Sequence, residues 1–454
     1  QPLEYNGMSH SIRMLRALTG VFAFACTLHL FMLSPLASAH GNIEAPIAEH
    51  HNGRGVEYQP TQWSYKTPSA QMHNASASNN LSLRAGIASS WRNQDASQQY
   101  PWQIPGVLMG GKAAAPEQGI TLDDAFVTLG WTNQQAVTAR FEITQHGDHD
   151  LELEQGYFSY SHSFTHEITT RLSAGRLKAV FAPANSSHAS SRAHNGNSLL
   201  YNAFLGGHYA DEGLRIQVFP TASNAVTLGA EVWRGASFPA TTGSGGGAQD
   251  VFLHWQGNTT DWQWQSGIWG FLARAEERGD DRFDDDHHNN STNSNASDNS
   301  ATDNDVVFDG SQRMAGVFGS LLWRARSHLD LQLQAEWMDI EVQGDLTDPT
   351  RLAELEGQYN GYYLQPGIRF HQHYVDFRYA RLILDNHLTG AGSEGLAASA
   401  GLNDMGRDPV SWEVSYRYQF NQGVGLRLEW SSNRTTREES EYWGVGVFWN
   451  AKLL

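Results

Sequence analysis

The side chains in this sequence that could do chemistry are histidines set beside carboxylates. The tightest group is the HGDH run, His146, Asp148 and His149, on what reads as a short tip. His188, His194 and His208 follow through a stretch rich in Ser, Asn and Gly, a DDDHH run ends at His288, and His40, His50 and His51 lie near the start. Neutral imidazole beside carboxylate suits Zn2+ or Cu2+. His146, Asp148, His149, His188, His194 and His208 are therefore candidate metal ligands, with Zn2+ as the ion and no cofactor required. None has the fixed spacing of a structural zinc site, and the alternative is a set of solvated polar loops. Hydrolytic chemistry at a membrane rim would need Ser or Asp converging with His. No local arrangement singles out such a pair, so the expectation is a protein that is not an enzyme. The one cysteine, Cys26, lies in an apolar leader, which leaves the body without thiolate chemistry or disulfides.

The elements that must position these residues are strands. In AVTARFEITQ, Val137, Ala139, Phe141 and Ile143 alternate with Thr138, Arg140, Glu142 and Thr144. HLDLQLQAEWM, SWEVSYRYQF and GVGLRLEWSS repeat the device. Alternation of period two over such lengths is strand, not helix. Sixteen segments read this way: 81–91, 125–132, 136–146, 151–162, 168–180, 214–220, 226–235, 250–258, 261–276, 313–326, 329–342, 358–371, 373–385, 410–420, 423–433 and 441–453. Short turns follow the even-numbered segments. Long polar stretches follow most odd-numbered ones: 92–124, 181–213, 236–249, 277–312, 343–357 and 386–409.

Short turns at one end and long loops at the other predict an all-β fold, a transmembrane antiparallel β-barrel in the bacterial outer membrane, with periplasmic turns and extracellular loops. The rival is a large soluble β-sandwich or propeller, which would need apolar residues facing a shared core. The polar stretch DDRFDDDHHNNSTNSNASDNSATDND then belongs to the extracellular loop 277–312, where it stays solvated.

The chain has 454 residues and a formal net charge of -18, which offers nothing to nucleic acid. Residues before Met8 read as upstream sequence, and MSHSIRMLRALTGVFAFACTLHLFMLSPLASAHG reads as a secretory signal ending before His40. A lipobox at Ala23–Cys26 is the competing reading, but the apolar core runs on past the Cys. The expected organisation is 1–39 leader, 40–79 flexible periplasmic segment, and 80–454 barrel. The last strand ends on Leu454 rather than the Phe usual in barrel assembly signals, although its outward residues are rich in Trp and Val.

The strand faces opposite the apolar ones carry Arg140, Glu142, Arg171, Arg215, Glu336, Arg369, Asp376, Arg378, Glu413, Arg417, Arg427 and Glu429. About sixteen strands enclose more space than side chains fill, so these residues are expected to line a polar lumen. They would alternatively pair into a network stiffening the wall. Expected partners are outer-membrane lipid and lipopolysaccharide, small polar solutes or divalent metal ions, and other copies of the chain in a homo-oligomer.

One stretch carries a resemblance. LLYNAFLGGHYADEGLRIQVFP, followed by LGAEVWRGASFP, resembles a proteobacterial family labelled zinc-regulated (TonB-dependent) outer-membrane receptors, with Gly175 and Arg176 on a strand before a His-containing loop. The resemblance runs from about residue 120 to the end and implies a porin-like barrel with a link to zinc. A TonB-dependent transporter is a ~22-stranded barrel with a plug, and residues 40–79 are too short for one. The expectation is a passive channel for small polar solutes or ions. The alternative is a non-conducting surface barrel that binds metal or a partner through acidic, His-bearing loops.

Overall fold

The computed structural model describes residues 80–94, 102–133, 136–147, 150–164, 167–220, 225–241, 247–280, 282, 306–420 and 423–454. The leader 1–39, the segment 40–79, Asp148, His149 and most of the loop 277–312 lie outside the described residues.

Sixteen strands pair with their sequence neighbours and close into one antiparallel barrel. They are β1 (Asn80–Arg92), β2 (Gly119–Thr132), β3 (Val137–Gln145), β4 (Glu152–Ser163), β5 (Ile168–Lys178), β6 (Ala210–Pro220), β7 (Val226–Trp233) and β8 (Ala248–Asn258). The second half is β9 (Trp262–Arg278), β10 (Val307–Arg326), β11 (Leu329–Thr347), β12 (Leu352–Phe370), β13 (His373–Thr389), β14 (Val410–Gln419), β15 (Val424–Arg434) and β16 (Ser440–Lys452). β1 against β16 seals the cylinder, with Arg84 opposite Lys452 and Trp91 opposite Val445. Closure leaves no edge strand, so every backbone donor can find a partner without water. Leu129, Phe141, Leu172, Leu214, Leu228 and Val251 point outward and are exposed. A continuous apolar belt around a closed barrel is a lipid-facing surface, and the protein is an outer-membrane β-barrel.

The inner face is packed by a recurring pair. Gly229 stands directly opposite Phe252, Gly316 opposite Trp269, and Gly425 opposite Phe448. A Cβ on any of these glycines would be built into the facing ring. The ring lies flat over the bare backbone, which lets large aromatics point inward without filling the lumen.

Two features depart from the sequence reading. The stretch 343–357 is not a long loop: β11 and β12 run on to Thr347 and from Leu352, leaving a turn at 348–351. At about 3.3 Å per residue and a 45° tilt, strands of this length overtop a ~25 Å apolar band, so their outer ends stand in water. There the polarity reverses. Asp339, Glu341 and Asp345 face out, while Met338, Ile340, Val342, Leu346 and Leu355 face in and are buried. Trp269 and Phe271 of β9 also point inward, as do Phe308 and Phe318 of β10, so the wall beside loop 277–312 is aromatic within rather than the expected polar lining.

What fills this apolar sector is loop. Ile104, Val107, Met109 and Ala113 from the β1–β2 connection join Leu199, Leu200 and Phe204 from the β5–β6 connection in one buried cluster with β8–β13. Helix α2 (Ser393–Ser399) of the β13–β14 connection adds Leu396.

A candidate constriction in the lumen

Residues 179–209, between β5 and β6, fold into the barrel, and none of them is exposed. Composition allows this, because Ala, Ser, Gly and Asn leave little bulk and no run of charge to desolvate. Asn185 closes the neck of this inner loop. Its Nδ2 donates to the carbonyls of Ala179 and Tyr209 at 2.9 and 2.8 Å, and its Oδ1 accepts from the Tyr209 amide at 2.7 Å. Such a buried amide meets the backbone groups that neither strand can satisfy.

The outgoing limb reaches β2–β4. His188 stacks on Phe126 with ring centroids 4.0 Å apart. Its Nδ1 lies 3.3 Å from Asp124 and its Nε2 3.3 Å from Glu142. The Ala189 amide donates to Asp124 at 2.8 Å. Lys178 sits beneath, 2.6 Å from Glu154 and 3.7 Å from Glu142.

The tip crosses to β13–β15. Arg427 donates to the carbonyls of Ala189 (2.8 Å) and Arg192 (2.9 Å) and to Asn195 Oδ1 (3.1 Å). Ser415 donates to Ala193 O at 2.8 Å, and Arg378 to Gly196 O and Asn197 O at 3.1 Å each. The Asn195 amide donates to Glu429 at 2.6 Å. On the return, helix α1 (Leu199–Leu205) brings the Tyr201 hydroxyl to both oxygens of Glu336, 3.1 Å from each. The loop is thus fastened to both sides of the cylinder. Carboxylates with Lys178 and Arg140 stand at one end of the crossing, and guanidiniums with Glu413, Glu429 and Asp376 at the other.

Two imidazoles at the tip titrate in opposite senses. For His188, burial and Lys178 push the pKa down, but bonds to Asp124 and Glu142 and the charge of Glu154 raise it above 6.5. His194 is held well below 6.5 by burial and then by Arg378, Arg417 and Arg427, with Glu413 3.7 Å away. A raised histidine adds docking free energy that is complete below the unfolded value and lost as pH climbs through the folded one. A depressed one adds free energy complete above the unfolded value and lost as pH falls. The loop should therefore be docked most firmly near the ordinary histidine value of 6.5. Away from it, each group costs at most about 1.4 kcal/mol per pH unit. Hydrogen exchange of residues 186–198 from about pH 5 to about pH 9 measures this. His194→Gln should flatten only the acid limb and His188→Gln only the alkaline limb. A profile flat on both sides of the optimum would refute the coupling.

The four candidate ligands among the described residues do not all converge. His146 and His208 meet at Glu154, with His146 Nε2 3.4 Å and His208 Nε2 3.3 Å from its Oε1. His208 is kept neutral, its pKa lowered to about 3, chiefly by burial and against the opposing charge of Glu154. His188 belongs to the separate Asp124–Glu142 group, and His194 lies among arginines, where a cation is repelled. Asp148 and His149 fall outside the described residues.

The twelve charged residues expected to line the lumen all point inward, but they differ in what they meet. Arg378, Glu413, Arg417, Arg427, Glu429, Glu336 and Glu142 contact the inner loop. Asp376 pairs with Arg417 at 3.0 Å, Arg215 with Glu231, and Arg369 with Asp330 at 3.2 Å. Arg171 bonds Ser161 and lies over Phe219, while Arg140 pairs with Glu142. Asp124, Glu154, Lys178, Arg192 and Tyr201 were not foreseen. Glu154 had a signal, because LELEQ alternates.

No protein-family model matches the chain, and no curated protein sequence matches it. The resemblance to zinc-regulated receptors accordingly stands on the residues quoted for it. Among solved structures, a loop-deletion form of OmpT, an outer membrane protein of Vibrio cholerae, is similar at TM-score 0.49 and 9% identity, over 83% of this chain and 100% of that one. Pseudomonas putida OprB is similar at TM-score 0.48 and 12% identity, over 83% and 94%. The outer membrane channel DcaP of Acinetobacter baumannii is similar at TM-score 0.48 and 11% identity, over 83% and 98%. The fold itself stands on the strand pairing described above.

Proposed function

We propose that this barrel is a restrictive diffusion channel that passes small polar solutes and inorganic ions, divalent cations among them, around its inner loop. One observation carries the reading. In the sector of β13–β16 and β1–β5 the loop meets polar and charged side chains almost exclusively, and several buried polar atoms there have no protein partner. They include Nε of Arg192, Arg417 and Arg427, and the hydroxyls of Ser190 and Ser411. Buried polar groups without protein partners favour opening to water. A polar seam of this kind, once hydrated, favours small hydrated solutes and disfavours bulky apolar ones. The reading contains no bond-breaking step. Lipid and lipopolysaccharide, or a second copy of the chain, would be the partners of the outer belt.

A second reading is favoured by a different observation. The apolar cluster joining the β1–β2 and β5–β6 loops to β8–β13 fills the extracellular half of that sector. If the filling is complete, the barrel is closed and acts by binding at its surface. Refolded, heat-modifiable protein in a planar bilayer separates the two. The expected result is steady unitary conductance well below that of an unobstructed barrel of this strand number. Silence from correctly folded protein would overturn the channel reading in favour of the closed one.

A further inference from the structure

We infer that the outer mouth carries a divalent transition-metal site, formed by His146, His208 and Glu154 with Glu152 beside them, that ties the inner loop to the barrel wall. This rests on the loop's position, not on conduction.

His146 lies just past β3, Glu152 and Glu154 open β4, and His208 ends the return limb of the inner loop. The β3–β4 connection is an extracellular one, so the group faces the outer mouth. His146 Nε2 and His208 Nε2 stand 3.4 and 3.3 Å from Glu154 Oε1, and His146 Nε2 is 3.8 Å from Glu152 Oε1. All three ligand atoms of His146, Glu154 and His208 fall within 4.8 Å of one another. A tetrahedral ion bound at about 2.0–2.1 Å separates its ligand atoms by about 3.3 Å. The two His–Glu154 separations are those of a tetrahedral edge, and the two imidazole nitrogens, within 4.8 Å of each other, need only close up to admit an ion. Two imidazoles and one or two carboxylates are the donor set of Zn2+ or Cu2+ rather than of Mg2+ or Ca2+.

A hydrogen bond that holds the carboxylate ligand in place is present too. Thr144 donates to the other Glu154 oxygen at 2.6 Å, which fixes the carboxylate plane. The His146 and His208 side chains are 28% and 24% exposed, enough for an ion to enter from outside. One competitor must yield: Lys178 Nζ is 2.6 Å from the same Glu154 oxygen. Glu142 Oε1, already 3.7 Å from that ammonium, gives it a place to go. The other close His–carboxylate group, Glu142, Glu154 and His188, is a poorer site, since it holds a single imidazole and its Glu142 is already paired with Arg140.

The test is titration of the refolded full chain in detergent with Co2+, read by visible absorption. One tight equivalent with the intense bands of a four-coordinate ion, displaced by Zn2+, is expected. His146→Ala and His208→Ala should each weaken it by more than about tenfold, as loss of a direct ligand must. Because His208→Ala also removes a side chain of the loop, the unsubstituted protein is loaded in parallel with one equivalent of Cu2+. Its electron paramagnetic resonance spectrum should carry hyperfine structure from two equatorial nitrogens. Weak six-coordinate absorption, affinity indifferent to both substitutions, or a Cu2+ spectrum without paired nitrogens would each overturn the inference. Binding is read without a membrane, so a silent bilayer leaves this site standing, and its loss leaves the channel reading standing.

Discussion

Replacing Arg427 by alanine should raise single-channel conductance severalfold and make it noisy, while the barrel itself stays folded. Arg427 holds the loop tip through three acceptors, Ala189 O, Arg192 O and Asn195 Oδ1, and lies 5.3 Å from the centre of the Phe448 ring. Hydrogen bonds from a charged donor contribute about 1.5–3 kcal/mol each. They are not additive, but losing even one shifts the docking equilibrium by about tenfold or more. The remaining tip anchors, Ser415, Arg378, Arg417, Glu429 and Ser90, each meet one or two groups and none gathers the three acceptors that Arg427 holds, so the tip gains freedom once Arg427 is gone. The barrel survives because its strands are closed by backbone pairing that Arg427 does not supply. Arg324, whose guanidinium reaches Thr260 O at a periplasmic turn, is the control. Arg324→Ala should leave conductance as it was. An Arg427→Ala channel with unaltered conductance and intact heat-modifiability would mean that the inner loop is not the constriction.

The barrel was legible because a membrane strand repeats one local rule. Each outward residue must be apolar and each inward one need not be, so period two survives in AVTARFEITQ and SWEVSYRYQF without any knowledge of partners. The rule fails once a strand leaves the lipid. Gln343–Gly357 reads as polar loop because Asp345, Glu354 and Glu356 face water, while Leu346, Ala353 and Leu355 face a core made by other loops. At the end of β5 the alternation disappears altogether, because Leu177 and Lys178 are both buried, at 0% and 3% exposure. That is why Lys178 gave no sign of its place between two carboxylates. The inward direction of Arg378, Arg417 and Arg427 could be read from spacing, but their acceptors could not. Ala189 and Arg427 are 238 residues apart, and only closure of the cylinder with the loop inside it brings them together. The histidines were legible only in part for a related reason. Neighbourhood in sequence suggested His146, Asp148 and His149 as one group, of which only His146 is among the described residues, and it could not show that the fold joins His146 to His208 across the root of the inner loop.

Lys178→Met should cost about 3–5 kcal/mol of barrel stability, the range for breaking a buried ion pair on one side only. The argument turns on which charges are left behind. Lys178 is 3% exposed, and its partners Glu142 and Glu154 are 0% and 2% exposed. Glu142 keeps Arg140 and the donors Thr128 and Gln155, at 2.6 and 2.8 Å. Glu154 is less well supplied: apart from Lys178 it keeps Thr144 at 2.6 Å and three imidazoles, at 3.3, 3.4 and 3.9 Å. Methionine fills the space of the lysine stem but leaves Glu154 a buried anion with no cation nearer than these imidazoles. If that uncompensated charge is the cause, the second substitution Glu154→Gln should recover most of the loss, because the amide can be satisfied without a cation. Urea unfolding of the two single variants and the double in the same lipid supplies the cycle. A coupling near zero would mean that Lys178 acts through packing alone. A strong coupling would fix the Glu142–Lys178–Glu154 cluster as the footing on which the outgoing limb of the loop rests. Because Glu154 also meets His146 and His208, that same coupling should fall when the mouth is loaded with Zn2+, which would take over as counter-charge to the carboxylate that Lys178 now neutralises.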